Sequence, residues 1–190
     1  MSTGRCSRNT ALAALACAAA ASFPALPQMP GDLLTGIVTG VMEGDTIRLQ
    51  LPAGPHVIRL AGIDAPEPRQ ADGPAARRAL HEKLIGAEVQ LQVTAKDAEG
   101  WLQGIVFLGD EDINGWVVKQ GHAWVDRTQR ANPAYCLLEN AARSLKRGLW
   151  AEEEWLAPWE WRQGGKGKAI RYTNYRNADA ESCIGELAKR

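Results

Sequence analysis

Arg59-Leu60-Ala61-Gly62-Ile63-Asp64-Ala65-Pro66-Glu67 is the stretch that decides how this chain is read. It begins as the end of an apolar strand and finishes in two carboxylates, separated by an Ala-Pro step. From His56 to Leu60 the residues alternate, so Ile58 and Leu60 share one face and Arg59 points the other way. Pro66 restrains Ala65 to an extended conformation and thereby sets the direction in which Glu67 emerges. Packing alone has no use for an arginine, an aspartate and a glutamate at one strand end.

One hairpin earlier stands a second carboxylate turn, Glu43-Gly44-Asp45-Thr46, with Gly44 free to take a positive φ. Asp45 and Asp64, at adjacent strand ends, offer hard oxygen ligands to Ca²⁺, and the backbone carbonyl of Ala65 with several waters completes such a shell. Glu67, one loop beyond, is positioned as general base for an attacking water. Arg59 carries the fork that matches a phosphate and offsets charge growing on a pentavalent transition state. The competing reading is a surface salt-bridge cluster around Arg59.

Outward from this cluster, the pattern predicts strands over Thr35–Met42, Thr46–Leu51, His56–Leu60, Glu88–Thr94 and Trp101–Leu108. Asp72 and Pro74 start a helix running to Gly86, a short helix covers Ile113 to Gly121, and Asn132-Pro133 open the longest helix, closed by Gly148. Glu139 and Arg143 lie four apart and pair on its flank. Five strands with a helix between the third and fourth, about three helices in all, fit a mainly β, α+β fold: a closed Greek-key barrel of the oligonucleotide-binding type.

The 190 residues amount to one domain with extensions. Residues 1–31 read as a signal peptide and short linker: Arg5 and Arg8, then a small-apolar run from Ala11 to Ala21, too short to span a bilayer. The barrel domain is expected over 32–164, and 165–190 is a basic tail with six basic and three acidic residues. Export to the periplasm or medium, without stable membrane insertion, follows. Removing the leader takes two of the 22 basic side chains and none of the 22 acidic ones, leaving a charge near −2. Any polyanion must therefore be drawn by a local positive site.

Four cysteines are present, and Cys6 and Cys17 leave with the leader. Cys136 and Cys183 remain as a pair suited to a disulfide in an exported protein, worth about 4 kcal/mol by loop entropy. Trp150, Trp155, Trp159 and Trp161 crowd one segment, either as a stacking platform for bases or as rings that seal the barrel.

Four runs together resemble the staphylococcal-nuclease-like (thermonuclease) family: GDTI at Gly44–Ile47, RLAGIDAPE at Arg59–Glu67, GHAWV at Gly121–Val125 and ENAARSLKRGLW at Glu139–Trp150. The likeness extends from about Thr35 to Trp161. It implies an oligonucleotide-binding barrel and Ca²⁺-dependent hydrolysis of DNA and RNA phosphodiesters, leaving 3′-phosphates. By motif, Asp45 and Asp64 resemble the Ca²⁺ ligands, Arg59 the first phosphate-binding arginine and Glu67 the general base.

One departure stands out. The family's D-x-Y-G-R turn, whose arginine binds phosphate, is here Asp97-Ala98-Glu99-Gly100-Trp101. Tryptophan cannot donate two charged hydrogen bonds, and a missing catalytic arginine costs about 10³–10⁵ in rate. Arg127, aligned by motif with a substrate-contacting position, is the candidate substitute on both the catalytic and the substrate-binding side; Arg69 is a weaker one. The expected function is an exported, monomeric, Ca²⁺-dependent nuclease of reduced activity on single-stranded DNA or RNA. The alternative is an inactive binding module in the cell envelope for an oligonucleotide, an anionic polysaccharide or a protein.

Overall fold

The computed structural model describes residues 30–98, 100–129, 131–152, 154–164, 170–171 and 180–189. Residues 1–29 of the expected leader and linker (1–31), Glu99 and most of the basic tail lie outside the described residues.

Three antiparallel strands open the fold: β1 (Leu33–Glu43), β2 (Thr46–Leu51) and β3 (Gly54–Leu60). A two-residue strand β4 (Ile63–Asp64) and helix α1 (Gly73–Leu84) follow, then β5 (Glu88–Lys96) and β6 (Leu102–Leu108). β5 pairs with β1 and β6 with β5, both antiparallel. A parallel pairing of β3 with β6, Arg59 opposite Gln103, closes the five strands into a barrel. The predicted strands are all present: β2 has the expected bounds, β1, β3 and β5 run a few residues longer, and β6 begins one residue later. In β1, register shifts between Val38 and Gly40 and between Val41 and Glu43 mark bulges, which bend the strand as closure requires.

Period-two alternation fills the interior. Ile47, Leu49, Ile58, Leu60, Leu91, Leu102 and Val106 are all buried, and α1 caps the barrel with Leu80 and Leu84. A two-residue strand β7 (Glu111–Asp112) leads into α2 (Ile113–Lys119), and β8 (Trp124–Val125) pairs with β4. Helix α3 (Ala134–Ser144) is followed by a 3-10 turn (Gly148–Ala151), strand β9 (Glu154–Trp155), helix α4 (Pro158–Arg162), strand β10 (Ile170–Arg171) and helix α5 (Ala180–Leu187). The three predicted helices are α1, α2 and α3. At 11 residues α3 is marginally shorter than α1 at 12, so it is not the longest. A disulfide joins Cys136 of α3 to Cys183 of α5, with Cα atoms 5.8 Å apart.

The tryptophan segment builds a second core rather than an open platform. Trp124 and Trp150 meet edge to face at 4.5 Å, Trp150 and Trp155 at 5.0 Å, and Trp124 and Trp159 at 5.5 Å. The Arg143 guanidinium lies 4.3 Å from the Trp150 ring centre and bonds Glu139 at 2.9 Å. The expected pair on the α3 flank therefore exists, but as a buried bridge under the aromatic cluster. Among the described residues no helix is long and apolar enough to cross a membrane.

Asn114 on α2 holds the corner on which the decisive stretch turns. Fully buried, it donates to the carbonyls of Ala61 (2.9 Å) and Gly104 (3.0 Å) and accepts from the Val106 amide (3.1 Å). The Gly104 carbonyl also accepts from the Ala61 amide at 2.8 Å, so Asn114→Ala takes a partner chiefly from the Ala61 carbonyl and the Val106 amide, at about 1–3 kcal/mol for each group left unsatisfied. Urea denaturation should show a stability loss of at least that size with an unchanged m-value.

Candidate active site

Local chemistry at the end of β3 brings the polar residues together. Arg59 is registered opposite Thr46 across the β2–β3 ladder, and the Leu60 amide donates to the Asp45 carbonyl at 2.8 Å, so the two strand ends stay in step. Gly62, at φ 74°, then turns the chain, and β4 aligns Asp64 with Trp124 of β8. Asp45 is fixed through both carboxylate oxygens: Oδ1 accepts from Thr46 Oγ1 at 2.8 Å and Oδ2 from the Ala65 amide at 3.0 Å. The glycine at 44 is needed for a different reason from the one expected. It is not among the positive-φ residues; a Cβ there would sit 2.7 Å from the Ala76 Cβ and 2.8 Å from the Ala65 Cβ. Its lack of a side chain lets α1 and the Ala65 segment close on the Asp45 turn.

Asp45 and Asp64 are 2% and 3% exposed, which is unusual for carboxylates with so few donors. Arg59 spans them, with Nη2 at 4.0 Å from Asp45 Oδ2 and 3.6 Å from Asp64 Oδ1. These are charge contacts rather than hydrogen bonds. Burial pushes the Asp64 pKa up and Asp45 adds to that, while Arg162 and Arg59 pull it down. Glu43 is raised as well, by burial first and then by Asp45 and Glu67. The mouth of the barrel thus concentrates more negative charge than its own groups neutralise.

The loop after Glu67 is braced by Gln70, whose Oε1 accepts from the Glu67 amide at 2.7 Å and whose Nε2 donates to the Leu156 carbonyl at 2.7 Å. Gln70 thereby couples the Glu67 turn to the segment leading into α4. Beside it lies a cleft of about 290 Å³ lined by Pro66, Asp72, Trp124, Trp155 and Trp161 among others.

From the end of α4, Arg162 reaches back into the cluster. Nη2 donates to Asp64 Oδ2 at 2.7 Å, and Nη1 donates to Asp64 Oδ1 at 3.0 Å and to Glu67 Oε1 at 2.7 Å. Its bonds to Asp64, ahead of those to Glu67, raise the guanidinium pKa further and keep it charged. Two arginines and four acidic side chains, Glu43, Asp45, Asp64 and Glu67, therefore converge on one opening.

Residues 57–152 match the family described as staphylococcal nuclease homologue. The chain belongs to that family. Among its relatives, a protein described as an uncharacterized endonuclease in Escherichia coli O157:H7 is 34% identical over 128 residues, spanning 67% of this chain and 84% of the relative. A micrococcal nuclease of Shigella flexneri is 33% identical over 174 residues, 83% of this chain and 97% of its own length. An uncharacterized endonuclease of Haemophilus influenzae is 31% identical over 130 residues, 68% of this chain and 73% of its own.

Within this nuclease-family barrel, Arg59, Asp45, Asp64, Ala65 and Glu67 occupy one neighbourhood. Arg127 is engaged elsewhere. Its Nη2 meets Glu139 Oε2 at 3.3 Å and its Nη1 meets Glu186 Oε2 at 3.5 Å, fastening α5 to α3. Trp101 stands one residue before β6, 42% exposed, its amide donating to Asp97 Oδ1 at 2.7 Å. The residue that sequence reasoning missed is Arg162, 98 positions from Asp64 in the chain and carried by no motif quoted above. Its only signal was its place at the end of the tryptophan-rich segment.

Because Arg162 is one of the groups lowering the Asp64 pKa, its removal has a defined sign. In ¹³C carboxyl NMR of the cation-free protein, Asp64 should titrate above the ordinary aspartate range. In Arg162→Ala it should move higher still; an unmoved or lowered midpoint would contradict the ion-pair geometry.

Proposed function

We propose that the chain is an exported, Ca²⁺-dependent phosphodiesterase that hydrolyses single-stranded DNA or RNA. The observation that carries this reading is the buried pair Asp45 and Asp64, joined by Arg59, with Glu67 on the adjoining turn. The donor set fits a hard cation. Two buried carboxylates face the opening, their partners arginines and single donors rather than a fixed cation, and burial raises the Asp64 pKa, a cost that a divalent charge relieves. Among the described residues no three His, Cys, Asp or Glu side chains converge as a complete cage. Asp45, Asp64 and the Ala65 carbonyl would hold the ion, with water filling the remaining positions. When bound, it supplies Lewis-acid stabilisation to a phosphoryl oxygen.

The chain's own residues account for the rest. Glu67 Oε takes a proton from the attacking water as the new O–P bond forms and the bond to the leaving sugar oxygen breaks. Gln70 holds the Glu67 backbone and so directs its carboxylate. Arg59 donates to the phosphate oxygens as their charge grows. Export is supported by the leader-like residues 1–31 and by the Cys136–Cys183 disulfide, which persists in an oxidising compartment.

Purified protein freed of the leader, incubated with single-stranded DNA and Ca²⁺, should release fragments. Chelator and Asp45→Ala should abolish that release. Glu67→Gln should lower kcat by about 10²–10⁴-fold with the fold intact. Cleavage indifferent to chelator and to Asp45→Ala would sink the proposal. Ca²⁺ binding without any turnover would favour the binding-module reading, for which the exposed Trp101 is the motivating feature.

A further inference from the structure

Arg162 calls for an explanation beyond packing. Its side chain is 43% exposed, and among the described residues its ion pairs are with Asp64 and Glu67, the residues assigned above to the cation and to the proton. The short helix that carries it is anchored by Trp159 against Trp124, so α4 does not need Arg162 to stay in place. The side chain instead crosses to the barrel mouth and lays a bidentate fork on Asp64.

Charge makes this position a temporary one. Glu43, Asp45, Asp64 and Glu67 set four negative charges against the two of Arg59 and Arg162, so the cation-free mouth repels a phosphate. A divalent cation taken by Asp45 and Asp64 cancels the excess and removes the partner that accepts two of the three Arg162 hydrogen bonds given above. The planar fork that fitted a carboxylate fits a phosphate equally well. Trp101 occupies the turn where the family resemblance calls for a second guanidinium, and Arg162 reaches the carboxylate cluster from the C-terminal side of the chain.

We propose that Arg162 is an exchanging residue: counter-ion of Asp64 in the cation-free protein, and second phosphate-binding arginine, beside Arg59, once a cation holds Asp64. This rests on the phosphodiesterase reading for its substrate class. It deepens that reading in two ways: the chain supplies its second arginine from α4, and cation and Arg162 compete for the same carboxylate.

Competition gives effects of opposite sign. Wild type, Arg162→Ala and Arg162→Lys are compared, with thermal unfolding as a check that each is folded. In calorimetric titration with Ca²⁺ alone, Arg162→Ala should bind about tenfold more tightly, or better still, because the ion no longer displaces a guanidinium. In saturating Ca²⁺, fluorescence anisotropy with a labelled single-stranded phosphorothioate oligonucleotide, which resists hydrolysis, should show Arg162→Ala binding about tenfold more weakly. Lysine, a point charge without the fork, should fall between.

Parallel weakening of both affinities would reduce Arg162 to a structural brace and overturn the proposal. Parallel tightening would make it a plug with no role toward phosphate, and unchanged values would leave it a surface ion pair; either result also overturns it. Opposite shifts in a wild-type protein that fails to cut ordinary DNA would reject the nuclease reading while leaving the exchange of Arg162 in place.

Discussion

Two carboxylates buried at the mouth of a closed barrel are the constraint on which the surroundings depend. Asp45 and Asp64 are nearly inaccessible, and desolvation alone raises the pKa of Asp64. A buried charge is tolerated only with partners, and each nearby feature supplies one. Thr46 and the Ala65 amide serve Asp45, Arg59 bridges the pair, and Arg162 crosses from another part of the chain to take both oxygens of Asp64. Without these donors the local surplus of negative charge would be larger still, with no guanidinium left to hold a phosphate.

The barrel makes such a concentration possible because its scaffolding is remote from the charges. Asn114 ties the β3–β4 corner to β6, and the β3–β6 pairing closes the ring at the level of Arg59. Gly62 supplies the reversal that sends Asp64 into β4. On the far side, the tryptophan cluster and the Arg143–Glu139 bridge form a rigid wall beneath α4. Gln70 then links that wall to the turn bearing Glu67. Both halves of the opening are consequently braced before any ligand arrives, as electrostatic preorganisation requires.

Elements governed by local rules were legible from the residues. Strand alternation identified the five barrel strands because the side-chain period of a sheet is two, and a buried face tolerates no slip. The Asp45, Arg59, Asp64 and Glu67 neighbourhood was visible because each residue sits at the end of such a strand or on the next turn. The role of Gly44 was misread: its backbone angle is ordinary, and the constraint comes from Ala65 and Ala76, a helix and a turn that only the fold brings against it. Arg127 shows the same limit. Motif alignment suggested the active opening, and in the fold its ion pairs are with Glu139 of α3 and Glu186 of α5.

By itself, then, the sequence determined a mainly β barrel with a polar cluster at one strand end, its family, and the absence of arginine at position 101. The family match and the relatives agree on the family, and with it on the barrel. Tertiary structure alone decided which arginine faces Asp64 across the opening. No periodicity or spacing links Arg162 to a residue 98 positions earlier; the link is made by an aromatic core that docks α4 beside the barrel and by a buried charge that draws in a second guanidinium beside Arg59. Contacts of that kind are set by the packing of whole elements, and a linear pattern carries no record of them.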